Sequence, residues 1–365
     1  MHAIRAQQFL SRWKAVQFDL IPALQGELGA MTPKLEQLIH VLEWVRLEEF
    51  VDATWIGIGR PPAQRAWFAN AFVAKAVLGI GTTVGLMERL SVDRALRRLC
   101  GFSMHRRLPS EATFSRAFAE FAQTQLAERV HEALIKEHLG DVLIGHLSRD
   151  GTAIVARERP QAKAAKPKRC GRHGRPRAGQ NPPAPPSPVA QQRQQTLDEM
   201  RHNIPTACDR GTKCNAQGYK TSWNGYKLHI DTADCGVPIA AVLSSASMHD
   251  SLAAIPLSHL SAQRVTNLYD LMDAAYCSED IRAHCRSLGH VPLIDHNPRR
   301  GEKIPFDPPQ AVRYRERTVA ERTNARLKDE FGGNTLRVQG AQKVASHLMF
   351  GILVLAADQL MRLRH

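Results

Sequence analysis

The chain has 365 residues, 43% of them hydrophobic and 23% charged, which excludes a fully disordered polymer and allows a sizeable core. Its 49 lysines and arginines against 35 acids give a net charge of +14, which points to a polyanionic partner, nucleic acid before an acidic membrane surface. Seven cysteines form an odd, scattered set, unlike a disulfide framework, so a reduced, cytoplasmic protein is expected.

In chain order, the stretch "MHAIRAQQFLSRWKAVQFDL" is amphipathic and interrupted by charges, so no signal peptide is expected. Residues 1–140 read as a helical N-terminal domain. "PAQRAWFANAFVAKAVLGI" and "TTVGLMERLSVDRALRRLCGF" carry apolar residues at helical spacing, and Gly101 ends the second. "LPSEATFSRAFAEFAQTQLAERVHEALIKEHLG" then opens a third helix at Ser110, with Glu111 in its first turn. Two short helices, a polar turn and a third helix suit a helix-turn-helix and a plain helical bundle equally.

From Asp141 the pattern changes, and residues 141–365 read as a mixed sheet with flanking helices. "DVLIGHLSRDGTAIVA" has the branched apolar residues of a strand. The segment 157–218 is basic, Pro-rich and poor in large apolar residues, so disorder or weak order is expected there. Within it Cys170 and His173, or Cys208 and Cys214, lack the regular paired spacing of a zinc site. "YKLHIDTADCGVPIAAVLSSAS" reads as a hairpin turning at Asp234–Gly236. A helix "SLAAIPLSHLSAQR", a strand "VTNLYDLMDAAY", a helix capped by Ser278 and a short strand "VPLIDHNP" follow. The apolar run "LMFGILVLAA" in the last helix is about ten residues, roughly half of a membrane crossing.

Between them lies "YRERTVAERTNARLK", residues 314–328, expected as part of one helix that Gly332 and Gly333 stop. On an ideal helix Tyr314, Arg317, Glu321 and Lys328 fall on one stripe, with Val312, Val319, Ala320, Leu327 and Phe331 on another face, available for the sheet. A solvated face with ion pairs three and four residues apart is the plain alternative. Upstream, Asp150 ends the apolar part of the first strand and Asp273 closes a later parallel strand, where open α/β sheets bind ligands. Three converging carboxylates suit two Mg2+ ions, which take oxygen ligands and keep open positions for phosphate and water.

The spacing of Tyr314, Arg317, Glu321 and Lys328 resembles the Y-R-E-K signature of bacterial insertion-sequence transposases with a DDE triad. "SRDGTAI" resembles the strand bearing their first aspartate, "LMDAAY" the strand end bearing their second, and "GYKLHI...GVPIAAVLSSASMHDS" their hairpin. "LRRLCGF...LPSEATFSRAFAEF" resembles their helical N-terminal domain. The resemblance runs from about residue 45 onward and implies a ribonuclease-H-like fold that cuts the ends of an insertion sequence and joins them to target DNA. It implies Asp150, Asp273 and Glu321 as holders of two Mg2+ ions (Mn2+ can substitute). It makes Tyr314, Arg317 and Lys328 contacts to double-stranded DNA, and implies at least a dimer on paired ends. Two features depart from the pattern: Ala275 replaces a glycine and the basic segment is longer; the interval between Asp273 and Glu321 is short, whereas some relatives carry an inserted domain there.

Competing residues stand beside each choice. Asp270 shares a strand with Asp273 but, at an odd offset, faces the other way. Glu316 and Glu330 flank Glu321. Asn324, near the same stripe, reads as solvated before a DNA contact, His229, His249 and Asp250 as structural, and Arg315, Arg322 and Arg326 as solvated or unspecific phosphate contacts. A catalytically dead DNA-binding derivative, or a nuclease that never rejoins strands, remains the alternative function.

Overall fold

Thr32 accepts a hydrogen bond from the Leu35 amide at 3.3 Å and Pro33 opens α1 (Pro33–Val45), a start signal written in two residues. The computed structural model of the protein describes residues 31–51, 64–160, 186–214, 217–298 and 302–364. α2 (Arg65–Val77) is followed by α3 (Thr83–Val92), capped by Thr82, and α4 (Arg94–Leu99), capped by Asp93. The third helix expected from the sequence is two, α5 (Glu111–Gln123) and α6 (Leu126–Leu139). Gln125 between them takes a left-handed conformation, φ +52°, which a right-handed helix cannot continue.

These helices do not hold a core of their own. The last helix, α13 (Ala341–Arg364), runs against α1, α2, α5 and α6, and its Phe350 ring lies 6.0 Å from Phe72 and 6.3 Å from Phe118. A boundary at residue 140 therefore divides the chain but not its core, which is continuous from α1 to α13. α13 is long and apolar enough to cross a membrane, yet 83% of its most apolar window is buried inside the protein, as befits a core helix.

The sheet has six strands: β1 (Leu143–Val155), β2 (Asp209–Cys214), β3 (Lys220–Ala233), β4 (Pro238–Ser245), β5 (Thr266–Met272) and β6 (Val291–Ile294). β1 is antiparallel to β3 and parallel to β5, β5 is parallel to β6, and both β2 and β4 pair antiparallel with β3. α9 (Ser251–Ala262) and α10 (Glu279–Ser287) pack on the sheet, and α12 (Thr318–Asp329) crosses β1 and β3. This is the ribonuclease-H-like arrangement that the resemblance implied.

Two expectations are corrected here. Residues 186–214, within the segment expected to be weakly ordered, form α7 (Pro188–Gln192), α8 (Leu197–Asn203) and β2. Isolated apolar residues anchor them: Val189 and Met200 join Ile255 and Ile281, and Ile204 joins Met248. The basic Pro-rich part, with Cys170 and His173, lies outside the described residues. The charged helix is also two, α11 (Pro308–Arg315) and α12. Glu316 and Arg317 join them in a tightened turn whose amides bond three residues back, Arg317 to Tyr314 at 3.1 Å and Ala320 to Arg317 at 3.1 Å. Val319, Ala320, Leu327 and Phe331 are buried as expected, but Val312, before the break, is 63% exposed.

Candidate active site

Arg149 decides which way Asp150 faces. Its guanidinium meets Asp231, its partner on β3, in two bonds of 2.7 Å, with both side chains fully buried and Ser261 of α9 donating to the same carboxylate. Successive strand residues alternate, so Asp150 points to the opposite face, under α12. On the other side of β1, Arg149 is level with Met272, the last residue of β5, and Asp273 follows. The Asp273 carboxylate accepts the Ala275 amide at 2.9 Å and caps a short turn, Ala274–Tyr276. Ala275 has no positive φ, so alanine fits where the resemblance leads one to expect glycine.

Asp270 lies on the face away from Asp150. It is 2% exposed and takes His290 at 3.0 Å and Asn267 at 3.3 Å. Burial would raise its carboxyl, but the His290 bond and the Arg149 charge outweigh burial and hold it below the ordinary value. Asp150 and Asp273 behave in the opposite way. Burial pushes the Asp150 carboxyl up to about 6; Arg317 opposes the shift and the Asp273 charge adds to it. Asp273 is raised too, first by burial and then by Asp250, against the Ala275 amide, Arg317 and Lys213. The two carboxylates thus share a half-buried place where the cost of burial exceeds what the nearby cations return.

α12 brings the other residues over them. Asn324 donates to Asp150 Oδ2 at 2.9 Å, and Arg317 stands 4.0 Å from Asp150 Oδ1. The same guanidinium grips Glu321 at 2.6 Å, and the Glu321 side chain is 56% exposed. Asp150, Asp273 and Arg317 are therefore together, and Glu321 is held at their edge through Arg317. Among the described residues, no three acidic, histidine or cysteine side chains form a ready metal cage. Tyr314, across the break, stacks near Phe306 with ring centroids 4.7 Å apart, and burial raises its hydroxyl to about 12. Lys328 sits near Asp150; burial lowers its ammonium, and Lys213 lowers it further.

Two other residues differ from their reading in sequence, and the rest follow it. Asn324, read as solvated, is buried on Asp150; its position three residues after Glu321 was visible, its burial was not. Arg326 is no solvated arginine: it binds Glu330 at 3.0 Å, Asp358 at 2.6 Å and Gln359 at 2.9 Å, tying α12 to α13. Arg315 and Arg322 are exposed. His229 is buried against Ser244 at 2.9 Å, His249 is exposed beside Ser251, and Asp250 pairs with Lys227 at 2.8 Å. Lys213, on a strand absent from the sequence reading, is the cation that reasoning missed.

Two family models match the chain. The family model described as Transposase DDE domain matches residues 195–356, and that described as Transposase domain (DUF772) matches residues 26–120. Asp273 and Glu321 lie inside the first match, and Asp150 lies between the two. No curated protein and no solved structure matches the chain. With a transposase domain over its N-terminal helices and a DDE domain over most of the sheet, the chain belongs to the insertion-sequence transposases of the DDE type.

Proposed function

We propose that this transposase cuts DNA at the ends of its element and joins the freed 3′-hydroxyls to target DNA, using Asp150, Asp273 and Glu321 as its acidic triad. One observation carries the reading: two half-buried aspartates at adjacent parallel strands face the same helix, which bears Glu321. Both carboxyls are raised by burial, and a divalent cation between them would relieve that cost. The donor set is all oxygen, which suits Mg2+ or Mn2+. Bound Mg2+ supplies activation of the attacking oxygen and charge stabilisation of the leaving one in displacement at phosphorus.

The chain's own residues do the rest. Glu321 joins the aspartates by turning away from Arg317, and its exposed side chain has room to do so. The released guanidinium then offers two donors to a DNA phosphate beside the acids. Tyr314 and Lys328 extend that grip along the backbone, and the N-terminal helices recognise the terminal repeats. Two ends must meet, so the working assembly is at least a dimer.

The test uses a donor fragment carrying the element's own ends with Mg2+, followed by strand mapping. Asp150→Ala, Asp273→Ala and Glu321→Ala should each abolish cleavage while end binding survives. Normal cleavage by any one of them removes that residue from the triad, and cleavage without joined product leaves a nuclease.

A further inference from the structure

Arg317 is the residue before α12, in the tightened turn that divides the charged helix. Its guanidinium has two acidic neighbours. Nη2 donates to Glu321 Oε1 at 2.6 Å, one turn along α12, and Nη1 stands 4.0 Å from Asp150 Oδ1. Asn324 takes the other oxygen of Asp150 at 2.9 Å. The arginine therefore fills the space between Glu321 and the Asp150 oxygen that Asn324 leaves.

A divalent ion and a guanidinium cannot share that space. An ion bridging Asp150 and Glu321 would lie roughly 2.1 Å from an oxygen of each. Those oxygens now face two nitrogens of one guanidinium. Two cations so close repel each other, and more strongly in a half-buried place than in water. For Glu321 to join the aspartates on a metal, Arg317 has to leave.

The bond it makes is built for exchange. Arg149, on the other face of β1, binds Asp231 through two bonds of 2.7 Å with both side chains fully buried, a permanent pair. Arg317 instead holds an exposed carboxylate through a single nitrogen and meets its second acid only at 4.0 Å. Its planar fork is underused, and a phosphate is the anion that fills such a fork with two parallel bonds.

We propose that Arg317 is an exchangeable counter-ion that couples DNA binding to metal loading: off DNA it occupies the place between Asp150 and Glu321, and a backbone phosphate draws it out and frees both carboxylates. The proposal rests on reading these acids as the metal site. It adds that the site is completed by its own DNA, so the free chain loads metal poorly. By linkage, DNA and metal then tighten each other's binding by one common factor.

The experiment titrates Ca2+ by calorimetry into the full chain, alone and on a duplex carrying an element end, with the duplex alone subtracted. Ca2+ fills oxygen sites without the strict octahedral geometry of Mg2+, so loading is read apart from cleavage. Wild type should bind Ca2+ about tenfold more tightly on the duplex, within the usual range of coupling between sites. Arg317→Gln should reach about that tighter affinity with no DNA present, and the duplex should then add only about two- to threefold, the share of a phosphate oxygen acting as a ligand. Arg322→Gln removes the same charge from an exposed position on α12 and should behave as wild type. An Arg317→Gln chain that binds Ca2+ no more tightly than wild type without DNA overturns the counter-ion. So does an equal gain from Arg322→Gln, which would make the effect one of net charge. If Asp150→Asn and Glu321→Gln both bind Ca2+ as wild type does, these acids are not the metal site, and the functional reading fails together with the proposal.

Discussion

Asn324 donates its side-chain amide to Asp150 Oδ2 at 2.9 Å from three residues beyond Glu321 on α12, while its own Oδ1 is buried with no partner among the described residues. A buried acceptor left unpaired costs about 1–3 kcal/mol, so this asparagine is not placed for stability alone. Its bond fixes one oxygen of Asp150 and leaves the other toward Arg317 and the cleft. Asn324→Ala should slow cleavage and raise the Mn2+ concentration needed for it, with end binding and Tm little changed. Asn324→Asp should be worse, because it sets a carboxylate against a carboxylate. Single-turnover cleavage over a Mn2+ series checks this; a wild-type rate at every concentration would show that the bond only fills space.

The two aspartates near the end of β5 should separate cleanly. Asp273→Asn is expected to stop cleavage and keep Tm, since its only hydrogen bond among the described residues spans two residues. Asp270→Ala strips His290, Asn267 and Arg149 of a buried charge partner and should lower stability by about 3–5 kcal/mol. Thermal melts beside cleavage assays decide it. An Asp270→Ala variant with normal Tm and no cleavage would reverse the assignment.

Asp150 should weaken the fold it serves. Its folded carboxyl, at about 6, lies above the ordinary value of 3.8, so the folded chain holds that proton more tightly. The penalty is absent below about pH 4, grows as pH rises, and is complete above about pH 6, reaching on the order of 3 kcal/mol. In EDTA at pH 7.5, Asp150→Asn should therefore melt higher than wild type, and with Mg2+ restored it should cut nothing. The difference should shrink on acidification toward pH 4. A lower Tm for the variant at pH 7.5 would contradict the burial account.

Much of this was legible before the fold. β1, the hairpin of β3 and β4, and the alternation that sets Asp270 and Asp273 on opposite faces all follow from period-two patterning and turn residues. β2, α7 and α8 were not, because Val189, Met200 and Ile204 dock singly and leave no periodicity to read. The break at Glu316 and Arg317 contains neither proline nor glycine, and the turn tightens by its hydrogen bonding alone. Asp150, Asp273 and Glu321 could be named from strand ends and spacing. That Arg317 stands between Glu321 and Asp150 depends on how α12 packs across β1, which no local pattern records.

Lys328 needs a charge control, and Arg326 cannot provide it. Arg326 binds Asp358, whose side chain is only 8% exposed, together with Glu330 and Gln359, so Arg326→Ala leaves a buried acid with fewer partners. That variant should melt lower, by about 1–3 kcal/mol, whatever it does to DNA. Arg322 is the sound comparison: it lies on the same helix, is exposed, and carries the same charge. Lys328→Ala should lower affinity for element-end DNA, reduce the salt slope by about one and slow cleavage, with Tm unchanged. Arg322→Ala should change each of these much less. Equal losses from Lys328→Ala and Arg322→Ala would mean that α12 acts on DNA only through its bulk charge, and the stripe of Arg317, Glu321 and Lys328 would be an ordinary solvated helix face.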